Sequence, residues 1–406
     1  MLLKCPSLPT PPPDCPTDPL VVDVPKDQKK AKISKESDWQ HQRLAQIPFR
    51  VISGHTNSVS CCRFCFDDTR FLTCSFDETA KLWDLSSGTS ISVFGLHSAP
   101  LTECCASPDN QRLFTSSWDK ALKAWDMETG KVLWSVVHRR PLTCCDVSFD
   151  GKFVVCGSDI DNGVYIYAAE TGDSVASLKD QHRSTVMSCC FDPNGQHVAS
   201  VSCDRTARIW DTVAQRTTMT LKNHRNVVSD CCFSPIGHFL CTASWDKTLL
   251  LWDIQVGEFR SRGPVSLAEG HQGSISSCAF SKDATLIVAG SYDQTISIWD
   301  TAGPYRKMFL KDHDNWVTDV AISSDKKWIL SACRDSTVRL WNIENLDQIP
   351  AVKAERRRHG EKVIQCTRCK KPFSSCLQED SEFLTLCVFC RLASPPRDFL
   401  PTPPSL

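Results

Sequence analysis

Long apolar runs are missing from this sequence of 406 residues. No stretch approaches the roughly 20 residues that a membrane-crossing helix needs, which excludes a chain threaded through a bilayer by helices. Charge of one sign is equally scarce. Forty-six Lys and Arg against 47 Asp and Glu leave a formal net charge of −1, so no overall field draws the chain to nucleic acid or to an anionic membrane. Residues 1–15 hold four prolines by residue 12 and lack the apolar core of roughly 7–15 residues that a secretory leader carries. No P-loop, G-x-G-x-x-G turn or Ser-His-Asp signature is present. These absences point to a soluble, intracellular, non-catalytic protein of the cytoplasm or nucleus, without a membrane partner.

What is present in abundance is a repeat. Trp83, Trp125, Tyr167, Trp210, Trp252, Trp299 and Trp341 are separated by 42, 42, 43, 42, 47 and 42 residues. His55, His97, His138, His182, His224, His271 and His313 run in step, 28 residues ahead of the aromatic in six repeats and 29 in the third. Six residues before each aromatic stands Asp77, Asp119, Asp161, Asp204, Asp246, Asp293 or Asp335. Three residue types locked in register seven times define seven copies of one supersecondary unit. Within repeat five, apolar runs at 227–233, 238–244 and 248–252 are split by Ser-Pro-Ile-Gly and Trp-Asp-Lys, which predicts short strands joined by tight turns.

A period of about 40–45 residues with Gly-His at its start and Trp-Asp at its end resembles the WD40 repeat family over residues 48–343. The resemblance implies an all-β, seven-bladed β-propeller of four strands per blade, monomeric, with Pro48–Ser53 supplying the fourth strand of blade seven and closing the ring. In that family a His, a Ser or Thr of the second strand, the Asp and the Trp form a hydrogen-bonded chain within each blade. The matching sets here are His55, Ser75, Asp77 and Trp83; His97, Ser117, Asp119 and Trp125; His182, Ser202, Asp204 and Trp210; His224, Ser244, Asp246 and Trp252; and His271, Ser291, Asp293 and Trp299. Blade three, with Tyr167 and an extra residue in 159–163, and blade seven, with Cys333 in the serine position, are expected to be pinned more weakly.

The 24 cysteines fall into two groups. Cys61-Cys62, Cys104-Cys105, Cys144-Cys145, Cys189-Cys190 and Cys231-Cys232, with Cys278 in blade six, sit on the first strand of their repeats. Adjacent strand residues face opposite sides, so these thiols do not bridge to each other and are expected to be buried, reduced filler. Cys366, Cys369, Cys387 and Cys390 instead have the C-x2-C-x17-C-x2-C spacing of a four-cysteine zinc-ribbon-like module, for which the expected cofactor is one structural Zn2+. Four thiolates leave no open coordination position for catalysis, and a RING would need a second site for which only Cys376 and His359 remain nearby.

The expected organisation is therefore a disordered Pro/Lys-rich segment at 1–46, a propeller at 47–346, a charged linker at 347–362, the zinc-binding module at 363–393 and a disordered tail at 394–406. Lys26–Lys35, with five lysines, reads as a solvated stretch. By the resemblance, the residue before each aspartate points from one rim of the ring: Phe76, Trp118, Ile160 or its shifted neighbour, Cys203, Trp245, Tyr292 and Arg334, joined by Trp316. Trp, Tyr and Arg dominate interface energetics, so a protein or peptide partner is expected on that rim, with the zinc module as a second interaction site. Two other readings are weaker. A cullin-type ubiquitin ligase receptor often carries Trp-Asp-x-Arg, and no blade here has that Arg. Nucleic-acid binding by the zinc module would rest on Arg368, Lys370, Lys371 and Arg391 alone.

Overall fold

The structure, a computed structural model, describes residues 47–178, 182–254, 263–267, 270–301 and 306–349, together with 352, 362–365, 368 and 372–375. Twenty-eight strands form seven antiparallel sheets of four. Blade five shows how the sequence dictates them. Val228–Phe233, Phe239–Ser244 and Leu249–Asp253 are apolar and rich in residues that suit a pleated, buried surface, and a short Val265–Leu267 completes the sheet. The turn at 234–237 closes with the Gly237 N–H on the Ser234 carbonyl at 2.7 Å, and Gly237 adopts φ +76°, a left-handed conformation that costs glycine little. The strand limits lie within about one residue of those expected from the apolar runs.

The first strands of successive blades lie against one another, and that of blade one lies against that of blade seven, so the sheets are arranged around an axis. Burial falls outward. Second strands such as Arg112–Ser117 are buried except at their first residue, whereas the fourth strand Val132–Val137 alternates between half-buried and exposed. An outer edge strand with one wet face needs only that alternation. Every blade has an irregularity between its first and second strands, at Ser60, Thr102, Thr143, Met187, Ser229, Ser276 and Thr318. A bulge bends the strand and re-aims one side chain. Four of these side chains cross to the next blade, where Ser60, Ser229, Ser276 and Thr318 donate to the carbonyls of Leu101, Ile275, Val317 and Val59 at 2.6–2.8 Å.

Ring closure follows the expected scheme. Phe49–Ser53 pairs antiparallel with Thr337–Asn342, from Phe49 opposite Trp341 to Ser53 opposite Thr337. The Asn342 N–H donates to the Pro48 carbonyl at 2.9 Å, and the Phe49 and Trp341 ring centroids are 4.8 Å apart. The propeller boundary expected at 346 falls short. Ile349 and Val352 join Ile343, Leu346 and Ile47 in the core cluster of blades six and seven. Charge in the following residues hid two apolar side chains that have a face to cover.

The segments expected to be disordered at 1–46 and 394–406 lie outside the described residues, as do Cys366, Cys369, Cys387 and Cys390. Lys362–Gln365 and Pro372–Ser375 form a two-stranded antiparallel pair. No helix among the described residues is long and apolar enough to cross a membrane.

Candidate functional site

In blade one, the His55 Nδ1–H donates to Asp77 Oδ2 at 2.8 Å and the Thr73 hydroxyl donates to His55 Nε2 at 2.7 Å. The Trp83 indole N–H in turn donates to that hydroxyl at 2.8 Å. Direction is fixed by the ends, because an indole can only donate and a carboxylate only accept. Asp77 also takes the Thr56 and Thr79 N–H groups. The same chain runs through His97, Thr115, Asp119 and Trp125; through His182, Ser200, Asp204 and Trp210; and through His224, Thr242, Asp246 and Trp252.

The bridging hydroxyl is therefore not the expected serine. Ser75, Ser117, Ser202 and Ser244 stand two residues further on and have a different task. Each donates to a carbonyl of the loop that follows the histidine and accepts the N–H of the aspartate at 3.1 Å. Register explains the correction. Phe71 lies opposite Trp83, so Ser75 is four residues away, about 13 Å along the strand, and Thr73 only half that.

Blade six solves the same problem from another strand. Ala289 occupies the bridging position, and Ser297, directly opposite it, supplies the hydroxyl to His271 Nε2 at 2.6 Å and Trp299 Nε1 at 2.8 Å. Ser291 keeps the loop-binding role of the other serines. Ser297→Ala is expected to cost about 2–3 kcal/mol, since it strands two buried polar groups. Ala289→Ser in that background is expected to restore most of the loss. Denaturant melts of both variants measure it, and an unrestored double variant would refute the exchange of roles.

Blades three and seven depart as expected, each in its own way. In blade three the Tyr167 hydroxyl meets His138 Nε2 directly at 3.0 Å, and Asp161 accepts from the Tyr165 hydroxyl at 2.5 Å. In blade seven Ser331 joins His313 Nε2 and Trp341 Nε1, but His313 Nδ1 is buried without a hydrogen-bond partner among the described residues.

Burial alone would raise the carboxyls of Asp77, Asp204, Asp246 and Asp293. Bonds from the paired histidine and from Thr79, Thr206, Thr248 or Thr295 outweigh it and hold each far below the ordinary carboxylate range. Burial draws the His97 imidazole below its usual value against the pull of Asp119. These His–Asp pairs are shut inside the blades and repeat around the ring, as a structural element does.

The residue before each aspartate occupies one backbone slot in all seven blades. Its N–H donates to the carbonyl three residues after the histidine: Phe76 to Ser58, Trp118 to Pro100, Asp159 to Pro141, Cys203 to Thr185, Trp245 to Val227, Tyr292 to Ser274 and Arg334 to Trp316. In blade three this slot belongs to Asp159, the shifted neighbour of Ile160. The exposed Trp118 packs on Phe76 at 5.2 Å between centroids. A longer stack spans three blades. Trp245 lies 6.4 Å from Tyr292, Tyr292 lies 4.9 Å from Trp316, and the Arg334 guanidinium covers Trp316 at 4.5 Å. The Trp245 indole N–H is shut from solvent and has no acceptor among the described residues.

Beside that stack the rim is basic, a feature that net charge conceals. Arg139, Arg140, Arg183 and Arg225 follow the histidines of blades three to five, and Arg205 and Lys247 follow the aspartates of blades four and five. All six are exposed, and none makes an ion pair among the described residues. The residue after the aspartate has φ of +53° to +73° in every blade, including Lys120, Arg205 and Lys247. Long cationic side chains are thus held in a conformation that asparagine or glycine would adopt at less cost.

The axis holds a cavity of about 510 Å³ lined by first-strand residues of all seven blades, among them Arg63, Glu103, Asp146, Asp230 and Cys232. Four carboxylates cap the otherwise unpaired inner edge of a neighbouring blade. Glu103, Asp146, Asp230 and Asp319 accept the N–H groups of Cys145, Phe191, Cys278 and Cys62 at 2.9–3.2 Å. Burial, with Asp319 nearby, lifts the Asp230 carboxyl to about 6. Sequence reasoning missed these acids, because a carboxylate in strand alternation looks like a solvent-facing residue.

The cysteine pairs behave as expected of core filler, with one thiol to each side of its blade. Neighbouring blades therefore bring sulfurs together: Cys144 with Cys189 at 3.1 Å, Cys190 with Cys231 at 3.6 Å and Cys232 with Cys278 at 3.5 Å. Burial pushes the Cys62 and Cys156 thiols well above their ordinary value, which keeps them protonated and unreactive.

Residues 46–84, 88–126, 130–167, 172–211, 215–253, 263–300 and 305–342 each match the family described as WD domain, G-beta repeat. The chain is 54% identical to human WD repeat-containing protein 88 over 369 residues, which is 90% of this chain and 78% of that protein. It is 26% identical over 175 residues to target of rapamycin complex subunit wat1 of Schizosaccharomyces pombe, covering 41% of this chain and 55% of that protein. It is 28% identical over 168 residues to the U3 small nucleolar RNA-associated protein 15 homolog of Xenopus tropicalis, covering 40% of this chain and 32% of that protein.

Proposed function

The chain belongs to the WD domain, G-beta repeat family, and from that premise we propose that it is a non-catalytic scaffold whose histidine-bearing rim docks an acidic segment of a partner protein. Propellers of this family typically bind other proteins. The observation that carries the reading for this chain is the continuity of Trp245, Tyr292, Trp316 and Arg334 across blades five to seven, next to the basic arc of blades three to five. Stacked aromatic and Arg side chains form an anchor. Unpaired Arg and Lys beside it attract carboxylates and reject basic partners.

Peptides selected from a random display library on the full chain test the reading. The expected winners carry several Asp or Glu beside an aromatic or Leu. Trp316→Ala should weaken their binding by at least about thirtyfold, the cost of a central anchor of about 2 kcal/mol. Arg183→Glu with Arg225→Glu should weaken it further at low salt than at high salt. Neutral or basic winners, or winners that bind a correctly folded Trp316→Ala chain equally well, would contradict it.

A structural zinc on Cys366, Cys369, Cys387 and Cys390 remains a second part of the proposal. Its support is the spacing, together with the strand pair Lys362–Gln365 and Pro372–Ser375, whose connecting residues include the first two cysteines. Metal content of the purified chain, expected to fall by about one zinc per chain in Cys366→Ser, decides it.

A further inference from the structure

Blade seven contains a group of side chains whose remaining donor atoms neither the scaffold nor the rim uses. In five blades the histidine Nδ1 is bonded to its aspartate at 2.7–3.1 Å. His313 is 5% exposed, and its Nδ1 has no partner among the described residues. An unpaired buried imidazole nitrogen has given up its hydrogen bond to water without a replacement, so it calls for a reason. Cys333 stands where six blades place a serine: Ser75, Ser117, Ser158, Ser202, Ser244 and Ser291. Asp335 keeps its turn, with Oδ1 taking both the N–H and the hydroxyl of Thr337. One ligand atom each of His313, Cys333 and Asp335 lies within 4.8 Å of the other two.

We propose that His313, Cys333 and Asp335 form a zinc site inside blade seven. Imidazole nitrogen, thiolate sulfur and carboxylate oxygen are the donors that Zn2+ prefers. In a tetrahedral site such donors stand about 3.3–3.6 Å apart, so the cluster needs to close on the ion by no more than about 1.5 Å. Binding displaces the Cys333 proton to solvent and moves the imidazole proton from Nδ1 to Nε2, which then donates to Ser331 Oγ while that hydroxyl turns to the Arg339 carbonyl 3.5 Å away. A thiolate, a carboxylate and a neutral imidazole are left on the metal, with the fourth position open to water. The cysteine is what sets this blade apart. With serine in that place the set would lose its soft donor. Arg339, whose guanidinium lies 3.6 Å from Asp314, is a positive neighbour that opposes the ion, so this site binds more weakly than the four-cysteine module.

Two other clusters of possible ligands exist among the described residues, and each is chemically different. Cys61, Cys74 and Cys104, and likewise Cys232, Cys241 and Cys278, are three sulfurs packed in apolar core clusters. They have no stranded polar atom and are explained as filler. The blade-seven site is placed to matter for docking. Cys333 precedes Arg334, and its thiol donates at 3.4 Å to the carbonyl of Asn315, which precedes Trp316. A metal there would tie together the two loops that carry the end of the aromatic stack.

The test uses the full chain with Cys366, Cys369, Cys387 and Cys390 all changed to serine, titrated with Co2+ as a coloured stand-in for Zn2+. The expected result is one Co2+ per chain, with a sulfur-to-cobalt charge-transfer band and the visible bands of a four-coordinate ion, all displaced by Zn2+. Cys333→Ser, which installs the residue six other blades carry, is expected to fold and to abolish the charge-transfer band. His313→Gln should abolish it as well. In the otherwise unaltered chain, Cys333→Ser should lower bound zinc by one equivalent and leave any zinc of the C-terminal cysteines in place. Absence of a charge-transfer band, or a band that survives Cys333→Ser and therefore belongs to another cysteine cluster, overturns the proposal.

Discussion

Aspartate at position 52 should unseat the ring. Ile52 is 4% exposed in a cluster that joins Val59, Phe71 and Trp83 of blade one to Leu330, Val338 and Leu340 of blade seven. Removing an aliphatic side chain from such a place costs about 2–5 kcal/mol, and burying an unpaired carboxylate there adds to it. The expected loss for Ile52→Asp is at least about 4 kcal/mol by denaturant melt. Freed from Phe49–Ser53, the edge of Thr337–Asn342 would present unpaired backbone groups, and the variant should associate on a sizing column. Ile52→Val, which keeps shape and polarity, should cost only about 1 kcal/mol. An Ile52→Asp chain as stable and as monomeric as the parent would mean that something other than the N-terminal strand closes blade seven.

The second large effect concerns a single cation at the axis. Arg63 of blade one reaches Glu103 of blade two at 2.6 Å and Asp319 of blade seven at 2.7 Å, and so clasps two seams at once. The acids are mostly buried, with side chains 15% and 7% exposed, while the arginine side chain is 34% exposed. Breaking a buried pair by deleting one partner costs about 3–5 kcal/mol, and partial exposure of the guanidinium reduces that here to about 2–4 kcal/mol for Arg63→Met. The pH dependence has a definite sign. Burial raises the Glu103 carboxyl well above the ordinary range, and Arg63 pulls it back down. A raised carboxyl contributes stability that is present below its unfolded value of about 4 and is lost as pH rises through its folded value. Without Arg63 that folded value climbs further. The deficit of the variant should therefore be largest at pH 8 and shrink as pH falls towards 5. A deficit that grows on acidification would show that the carboxylates are not held by Arg63.

Much of this architecture is legible in the sequence because its signal is repeated. The interval between His55 and Trp83 recurs through His313 and Trp341, and each interval became one blade. The clasp was readable from Phe49 to Ile52 because a ring of four-stranded blades ending at Trp341 lacks one strand. What stayed hidden depends on register and on direction. Thr73 and Ser75 share a face of one strand, so alternation cannot say which of them meets the indole. Only the pairing of Phe71 with Trp83 does. Ser297 was out of reach because it takes over a task from a strand away. Asp159, rather than Ile160, fills the rim slot because the extra residue of blade three is absorbed after it. Glu103, Asp146 and Asp230 line a cavity that exists only once all seven first strands are assembled. The basic arc was masked in the same way, since Arg139, Arg183 and Arg225 lie far apart in sequence and share one rim only once the blades are assembled.

The claim that the rim is the working surface is tested most directly by hydrogen exchange on the full chain, with and without a selected acidic peptide. Exchange should slow in the turns around 244–248, 291–295, 313–317 and 333–337, which carry the aromatic stack and Arg334. It should stay unchanged in the turns at the opposite ends of the strands, around 107–112, 148–153 and 192–197. Protection confined to those opposite turns, or to the first strands that line the axis, would contradict the account.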